Sequence, residues 1–150
     1  NALTETKIAS ELYKASSAGV KIQLIVRGSC IIKPGVKGLS ENISVRSVIG
    51  RFLEHTRIYF FQNNNNPLVF LSSADWMERN CFSRVEIAFP IDEPAIKSRI
   101  VNEGLKLYLR DNVNAWKLEN TGRYRIMKSR SKKLVSAQGN LLKKLTTNKS

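Results

Sequence analysis

Residues 20–28 read VKIQLIVRG, an apolar run that ends in an arginine and a glycine. A nearly continuous series of β-branched and leucine side chains is typical of a strand that is covered on both faces. Just before it, apolar residues at helical spacing predict an amphipathic helix over 4–18, with Thr4 as its cap and Gly19 as its stop. A helix that leads into a largely buried strand at 20–26 predicts an α/β fold.

Outward from this unit, the pattern predicts alternating elements. Apolar residues of 45–53 recur at i, i+3, i+4, i+7 and i+8, which predicts a helix capped by Ser44. Two β-rich runs flank an asparagine-rich turn and predict an antiparallel hairpin. The remaining predictions are a loop over 29–44, the hairpin strands at 58–62 and 68–71, a strand at 84–89, a helix capped by Asp92, and a short strand at 113–118.

The composition bounds the class of protein. The chain has 150 residues, 42% of them hydrophobic, which suits one globular domain with a core. Its formal net charge of +13 favours a polyanionic partner such as nucleic acid, a nucleotide, polyphosphate or an anionic membrane. The longest apolar run is far shorter than the roughly 20 residues that span a bilayer. We therefore expect a soluble, cytoplasmic protein.

Charge and cysteine placement add further expectations. Residues 121–150 hold nine Lys or Arg and no acid, so we divide the chain into a domain over 1–120 and a basic segment over 121–150 that forms a docking helix, a tail or both. Cys30 and Cys81 lie far apart without a Cys-x-x-Cys pair, which predicts reduced cysteines and no metal site.

Polar side chains follow three of the apolar runs, where α/β folds gather ligand groups. Arg27 comes first, and its guanidinium suits bidentate binding of phosphate. His55, the single histidine, and Arg57 come next, and in a strand their side chains would share one face. The third set begins at Ser72 and includes Asp75. Each has a structural alternative: an arginine paired with an acid, a structural histidine, and a turn with an Asx cap.

The third set carries a resemblance to a known superfamily. Ser72-Ser73-Ala74-Asp75-Trp76, followed by Arg79 and Glu86, resembles the segment that follows the His-x-Lys motif of the phospholipase D superfamily, and His55-x-Arg57 resembles that motif. The sequence departs from the superfamily at Arg57, at Gln62 in place of its Asp, and at Ser72 and Asp75 in place of Gly and Asn. These departures disfavour esterase chemistry.

A closer resemblance covers nearly the whole chain. Five segments carry it, in order: 15–22 (ASSAGVKI), 24–28 (LIVRG), 38–43 (GLSENI), 50–55 (GRFLEH) and 71–77 (LSSADWM). In these segments the sequence is similar to the final domain of polyphosphate kinases, which is phospholipase-D-like, and 123–124 and 135–138 resemble that family's closing segment. The implied fold is a mixed sheet flanked by helices.

The resemblance also implies an activity. Polyphosphate kinases reversibly move the terminal phosphate of ATP onto inorganic polyphosphate, with Mg²⁺ and through a phosphohistidine that lies in a preceding domain. By resemblance, Arg27 binds ATP phosphate, and His55 is the second, catalytic histidine, which contacts phosphate. Side chains expected to support them are Arg57, Ser73, Asp75 and Glu86.

The implied partners are ATP or ADP, polyphosphate and the N-terminal domains of the same enzyme, which is expected to be a homo-oligomer. The fragment alone is expected to be inactive. The charge leaves one rival class open, a phospholipase-D-like nuclease or basic nucleic-acid-binding module.

Overall fold

The computed structural model of the chain describes residues 1–127 and 133–147. One helix begins at Pro94, continues through a π-helical turn at Val101–Lys106 and ends at Arg110. The helices are α1 (Thr6–Ser17), α2 (Glu78–Phe82), α3 (Pro94–Ile100), α4 (Leu107–Arg110) and α5 (Ala137–Thr147). The strands are β1 (Ile22–Ile25), β2 (Ile43–Val48), β3 (Ile58–Phe61), β4 (Leu68–Ser72), β5 (Ala88–Pro90), β6 (Ala115–Leu118) and β7 (Tyr124–Ile126).

Two sheets divide the strands. The four-stranded sheet has the order β1-β2-β6-β7, with β1 and β2 parallel and the other pairs antiparallel. The second sheet has the order β3-β4-β5 and is antiparallel. The predicted α/β fold with a mixed sheet flanked by helices is therefore confirmed.

The four-stranded sheet is covered on both faces. On one face, Ile43 and Val45 of β2 join a cluster with Ala9 and Leu12 of α1. On the other face, a second cluster combines Val48 of β2 with residues of α4 and α5, including Ala137. Because β2 buries apolar side chains on both faces, it is the centre of the domain.

The predicted helix over 45–53 is wrong, since most of its first half is β2. The burial of β2 alternates at first, with Ile43, Val45 and Ser47 buried and Ser44 exposed, and Val48 is buried on the opposite face. Apolar side chains on both faces of a strand produce spacings that also fit a helical stripe. The β-branched residues favour the strand, and pairing with both β1 and β6 decides between the two.

The other predicted elements form with shifted ends. Glu5 caps α1 by accepting from the Ile8 amide at 2.7 Å, so the predicted cap at Thr4 is wrong. Glu93 caps α3 in place of Asp92. The hairpin is confirmed as β3 and β4, with positive φ at Asn63, Asn64 and Asn65.

The predicted strand over 84–89 starts later, as β5, and the one over 113–118 is confirmed as β6. Beyond residue 120, the described residues form β7, which pairs with β6, and α5. Residues 128–132 and 148–150, which carry part of the predicted basic segment, lie outside the described residues. The division of the chain at residue 120 stays a prediction.

The N-terminal residues connect the loops that follow β1 and β4. Leu3 is 2% exposed and forms parallel bridges with both Cys30 and Trp76. Its amide donates to the Ser29 carbonyl at 2.8 Å, and the next amide, of Thr4, donates to the Trp76 carbonyl at 2.7 Å. The polar residues that follow these two strands are thereby held at one side of the molecule.

Candidate functional site

A cleft of about 420 Å³ lies between the edge strand β1 and the strand β3 of the other sheet. Helix α4 closes one part of it with Tyr108. Charged side chains among its lining residues are Lys21, Arg27, Glu54, Arg57 and Asp75. All three polar segments predicted from the sequence therefore contribute a residue to this cleft, namely Arg27, Arg57 and Asp75.

Arg27 follows β1 closely and is half-buried. Its Nε donates to the Glu54 carbonyl at 3.1 Å, and its Nη2 donates to the Asn1 side-chain oxygen at 3.0 Å. Within residues 1–127 and 133–147, Arg27 forms no ion pair and its Nη1 makes no hydrogen bond. The structural alternative for Arg27, an ion pair with an acidic side chain, is therefore not observed among the described residues.

Arg57 and Asp75 form an ion pair beside it. The Arg57 Nε lies 3.0 Å from the Asp75 carboxylate, and their side chains are 22% and 12% exposed. Burial acts to raise the pKa of Asp75, but the Arg57 hydrogen bond, together with the positive charges of the Asn1 amino group and of Arg57, outweighs it and holds that pKa below its usual value. Arg57 also donates to the His55 carbonyl at 2.7 Å, so it fixes the backbone next to the histidine.

His55 lies between two cleft-lining residues, Glu54 and Thr56, but it is not among the lining residues itself. Its side chain is exposed, and within the described parts of the chain the imidazole makes no hydrogen bond. Residues 53–57 precede β3 and have no strand pairing, so the common strand face expected for His55 and Arg57 does not form.

Ser73 and Glu86 form a separate cluster at the connection between β4 and β5. The Ser73 hydroxyl donates to the Glu86 carboxylate and accepts from the Ile87 amide at 3.0 Å. Asn80 donates to the same carboxylate at 2.6 Å. The hydrogen bonds from Ser73 and Asn80 hold the pKa of Glu86 below its usual value. These side chains do not line the cleft, and they stabilise the turn that follows Asp75.

Three residues of the site were missed by the sequence analysis. The Tyr108 hydroxyl donates to the Glu54 carboxylate, and the Gln138 amide donates to the same oxygen at 2.9 Å. Burial first, and then the hydrogen bond to Glu54, raises the pKa of Tyr108, which keeps the phenol a neutral donor. Two of them lie in segments that carry the resemblance, Glu54 in 50–55 and Gln138 in 135–138, whereas Tyr108 lies in neither.

Over 1–127 and 133–147, no three His, Cys, Asp or Glu side chains lie together as metal ligands. None of the helices in these same parts is long and apolar enough to cross a membrane.

Comparison with known proteins agrees with this geometry. The family model described as polyphosphate kinase C-terminal domain 2 matches residues 1–138. Polyphosphate kinases from Burkholderia multivorans and Xylella fastidiosa are 55% and 53% identical over 144 and 146 residues, which are 96% and 97% of this chain and 21% of each relative.

The crystal structure of polyphosphate kinase from Porphyromonas gingivalis superposes with a TM-score of 0.92 at 37% identity, over 98% of this chain and 22% of that one. The chain thus spans about a fifth of the length of the relatives it matches. The resemblance drawn from the five sequence segments is confirmed, and the chain belongs to the polyphosphate kinase family, in which it corresponds to C-terminal domain 2.

Proposed function

We propose that this chain is the ATP-phosphate-binding domain of an enzyme that reversibly transfers the terminal phosphate of ATP to inorganic polyphosphate. The observation that carries the proposal is the cleft, where Arg27 and Arg57 bring two guanidinium groups to one concave surface. Arg57 is neutralised by Asp75, whereas Arg27 has no acidic partner in the described parts of the chain. The relatives, which are polyphosphate kinases, supply the reaction class.

Phosphoryl transfer spreads negative charge over the oxygens of the moving group, so the protein contributes mainly position and positive charge. Arg27 holds the ATP phosphates through its Nη1, while its other nitrogens are fixed by the backbone of Glu54 and by Asn1. His55, exposed beside the cleft, contacts the transferred phosphate or moves a proton to it. The nucleophilic histidine belongs to a preceding domain.

Two further pairs support these side chains. Asp75 fixes Arg57, which in turn holds the His55 carbonyl, and Ser73 with Glu86 holds the turn after β4. Mg²⁺, which neutralises phosphate charge in this family's reaction, finds no cluster of three ligand side chains in residues 1–127 and 133–147.

The complete enzyme consists of this domain and the N-terminal domains, acts in the cytoplasm and forms a homo-oligomer. The fragment alone is inactive in this proposal because it has only one histidine and spans about a fifth of its relatives.

The first test uses a full-length enzyme that carries this domain. We expect Arg27→Ala and His55→Ala each to lower turnover about 100-fold or more, as the removal of a group that stabilises transition-state charge does. Lys37→Ala is the matched control, because Lys37 is exposed and its loss removes the same unit of charge. Turnover near that of the unsubstituted enzyme in Arg27→Ala and His55→Ala would contradict the proposal.

A nuclease or nucleic-acid-binding module is the second candidate, and the net charge of +13 favours it. The competing functions are separated by measuring the binding of ATP, polyphosphate and duplex DNA at matched salt. We expect preference for the phosphate ligands that depends on Arg27. Preference for DNA that survives Arg27→Ala would support the second candidate.

A further inference from the structure

The side chain of Gln138, in the first turn of α5, lies against the backbone of residues 50–54. Its Oε1 accepts from the Phe52 amide at 2.9 Å, and its Nε2 donates to the Phe52 carbonyl at 2.8 Å. The side-chain amide therefore pairs with both backbone groups of one residue. Gln138 is 5% exposed, so these bonds lie away from competing water.

The same amide continues to Glu54. Gln138 Nε2 donates to Glu54 Oε1 at 2.9 Å, and the Tyr108 hydroxyl donates to that oxygen as well. The Glu54 carbonyl then accepts from Arg27 Nε at 3.1 Å. A continuous series of hydrogen bonds and one short stretch of backbone thus joins α5 to Arg27 and to the residue before His55.

Gly50 permits this close approach. A Cβ placed on Gly50 would overlap the Oε1 and Cδ atoms of Gln138. The side-chain end of a glutamine is ordinarily flexible, but here its three hydrogen bonds fix it. Within 50–55, Gly50 therefore leaves room for the Gln138 side-chain amide, and Phe52 and Glu54 supply its hydrogen-bond partners.

Helix α5 is itself held in place at this turn. The Ala137 amide donates to Asp111 Oδ2 at 2.7 Å, and Asp111 Oδ1 accepts from the Val113 and Asn114 amides at 3.0 and 2.7 Å. Asp111 is 1% exposed, and Ala137, next to Gln138, is fully buried. The backbone at Gln138 is consequently held in place, so its side chain can position residues 52–54.

We infer that Gln138 is a positioning residue for the phosphate site. Through its hydrogen bonds to Phe52 and Glu54, Gln138 holds the backbone that leads to His55 and the carbonyl that accepts from Arg27 Nε. This inference rests on the proposed function, since it assigns a task to α5 within that same site. Displacement of a reacting or binding group by about 1 Å can cost about 100-fold in rate. The C-terminal segment thereby sets the geometry of the cleft, in addition to carrying charge.

The central test is Gln138→Leu in a full-length enzyme. We expect kcat to fall about 10- to 100-fold, by more than KM for ATP changes, because Arg27 and His55 remain present but are no longer aligned. Ser16→Ala controls for lost stability: Ser16 is 1% exposed and its hydroxyl accepts from the Asn42 amide on the far side of the sheet. Equal losses of kcat in both variants at equal Tm would overturn the inference.

Gln138→Glu adds a readout that a merely structural role would not move. The new carboxylate would face both Glu54 and the Phe52 carbonyl, so burial and the Glu54 charge would raise its pKa. Protonation at lower pH restores one donor. We expect its kcat, relative to the unsubstituted enzyme, to rise as pH falls from about 8 to about 6. A constant ratio over this range contradicts the inference, and this comparison decides if Gln138→Leu does not fold.

Gly50→Ala displaces the side-chain amide of Gln138 and leaves every hydrogen-bonding side chain intact. Its matched control is Gly139→Ala, one residue after Gln138. We expect a loss of kcat in the first and kcat within about twofold of normal in the second. If Arg27→Ala and His55→Ala are inactive while the Gly50 and Gln138 variants are normal, the positioning role fails and the proposed function stands. If Arg27→Ala and His55→Ala are themselves normal, the proposed function fails.

Discussion

At the scale of single residues, the ion pair of Arg57 and Asp75 keeps a partly buried carboxylate charged in the cleft. Burial raises the pKa of Asp75, and the Arg57 hydrogen bond with the charges of the Asn1 amino group and of Arg57 lowers it by more, so the folded-state pKa is below the usual value. A carboxyl group with a depressed pKa stabilises the fold above its unfolded pKa, and this contribution is lost as pH falls through the folded pKa. The ion pair is therefore intact at neutral pH.

Asp75→Asn tests this balance. At pH 7 we expect a loss of about 1–3 kcal/mol in the free energy of unfolding, because Arg57 keeps its charge but loses its partner. Below the folded pKa of Asp75 the difference between the two proteins should shrink. Urea unfolding between about pH 3 and pH 7 measures it.

Asp92→Asn is the control, since Asp92 is exposed. A pH-independent difference between Asp75→Asn and the unsubstituted chain would show that the carboxylate charge is not what stabilises this position.

Some site residues were predictable one by one and others were not. Arg27 and Asp75 each follow an apolar strand, and strand ends are where α/β folds place ligand groups. Gln138 pairs with Phe52 and Glu54 across 84–86 positions of sequence, and nothing local to either segment indicates that contact. Its role follows from tertiary packing alone.

At the scale of elements, local sequence patterns predicted the secondary structure correctly where the tertiary structure favours the same conformation. The asparagines of 63–65 adopt positive φ in the turn between β3 and β4, as their short polar side chains allow. β2 was mispredicted because a central strand buried on both faces has no clean period of two. Its pairing with β1 and β6 lies beyond any short window of sequence.

Asp111→Ala tests the docking of α5. Three backbone amides would lose their acceptor in a buried environment, so we expect a destabilisation of about 2–4 kcal/mol. Urea unfolding gives the free energy, and amide hydrogen exchange should show lost protection first at 137–141. The comparison is Glu93→Ala, which removes an exposed cap from α3 and should cost about 1 kcal/mol. Equal costs would contradict the special role of Asp111.

At the scale of the whole molecule, the cleft exists because two sheets of unlike burial meet. The four-stranded sheet is packed on both faces, whereas β3 and β5 keep Phe61 and Phe89 about half exposed, at 53% and 47%. Leu3 connects the loops beyond β1 and β4 and brings Arg27 and Asp75 to one side. The overall fold was predictable by resemblance since ordered segments span the chain, but the relation of the two sheets was not.

Net charge and a specific site predict different responses to a polyanion. A net charge of +13 attracts any polyanion, and this electrostatic attraction is spread over the surface and weakened by salt. A cleft that holds phosphate adds a stabilisation of about 2.7 kcal/mol at 100 times Kd, which is about 5–10 °C in Tm for a chain of this size. We expect tripolyphosphate, at about 0.15 M salt, to raise Tm by this order.

Arg27→Ala and Lys37→Ala separate the two responses, because each removes one of 25 basic charges and only the first changes the cleft. The shift in Tm with tripolyphosphate should persist in Lys37→Ala and largely vanish in Arg27→Ala. Loss of the shift to the same degree in both would show that it comes from the overall field. Because the two variants have the same net charge, any difference between them belongs to the position of Arg27, at the end of β1, where the two sheets meet.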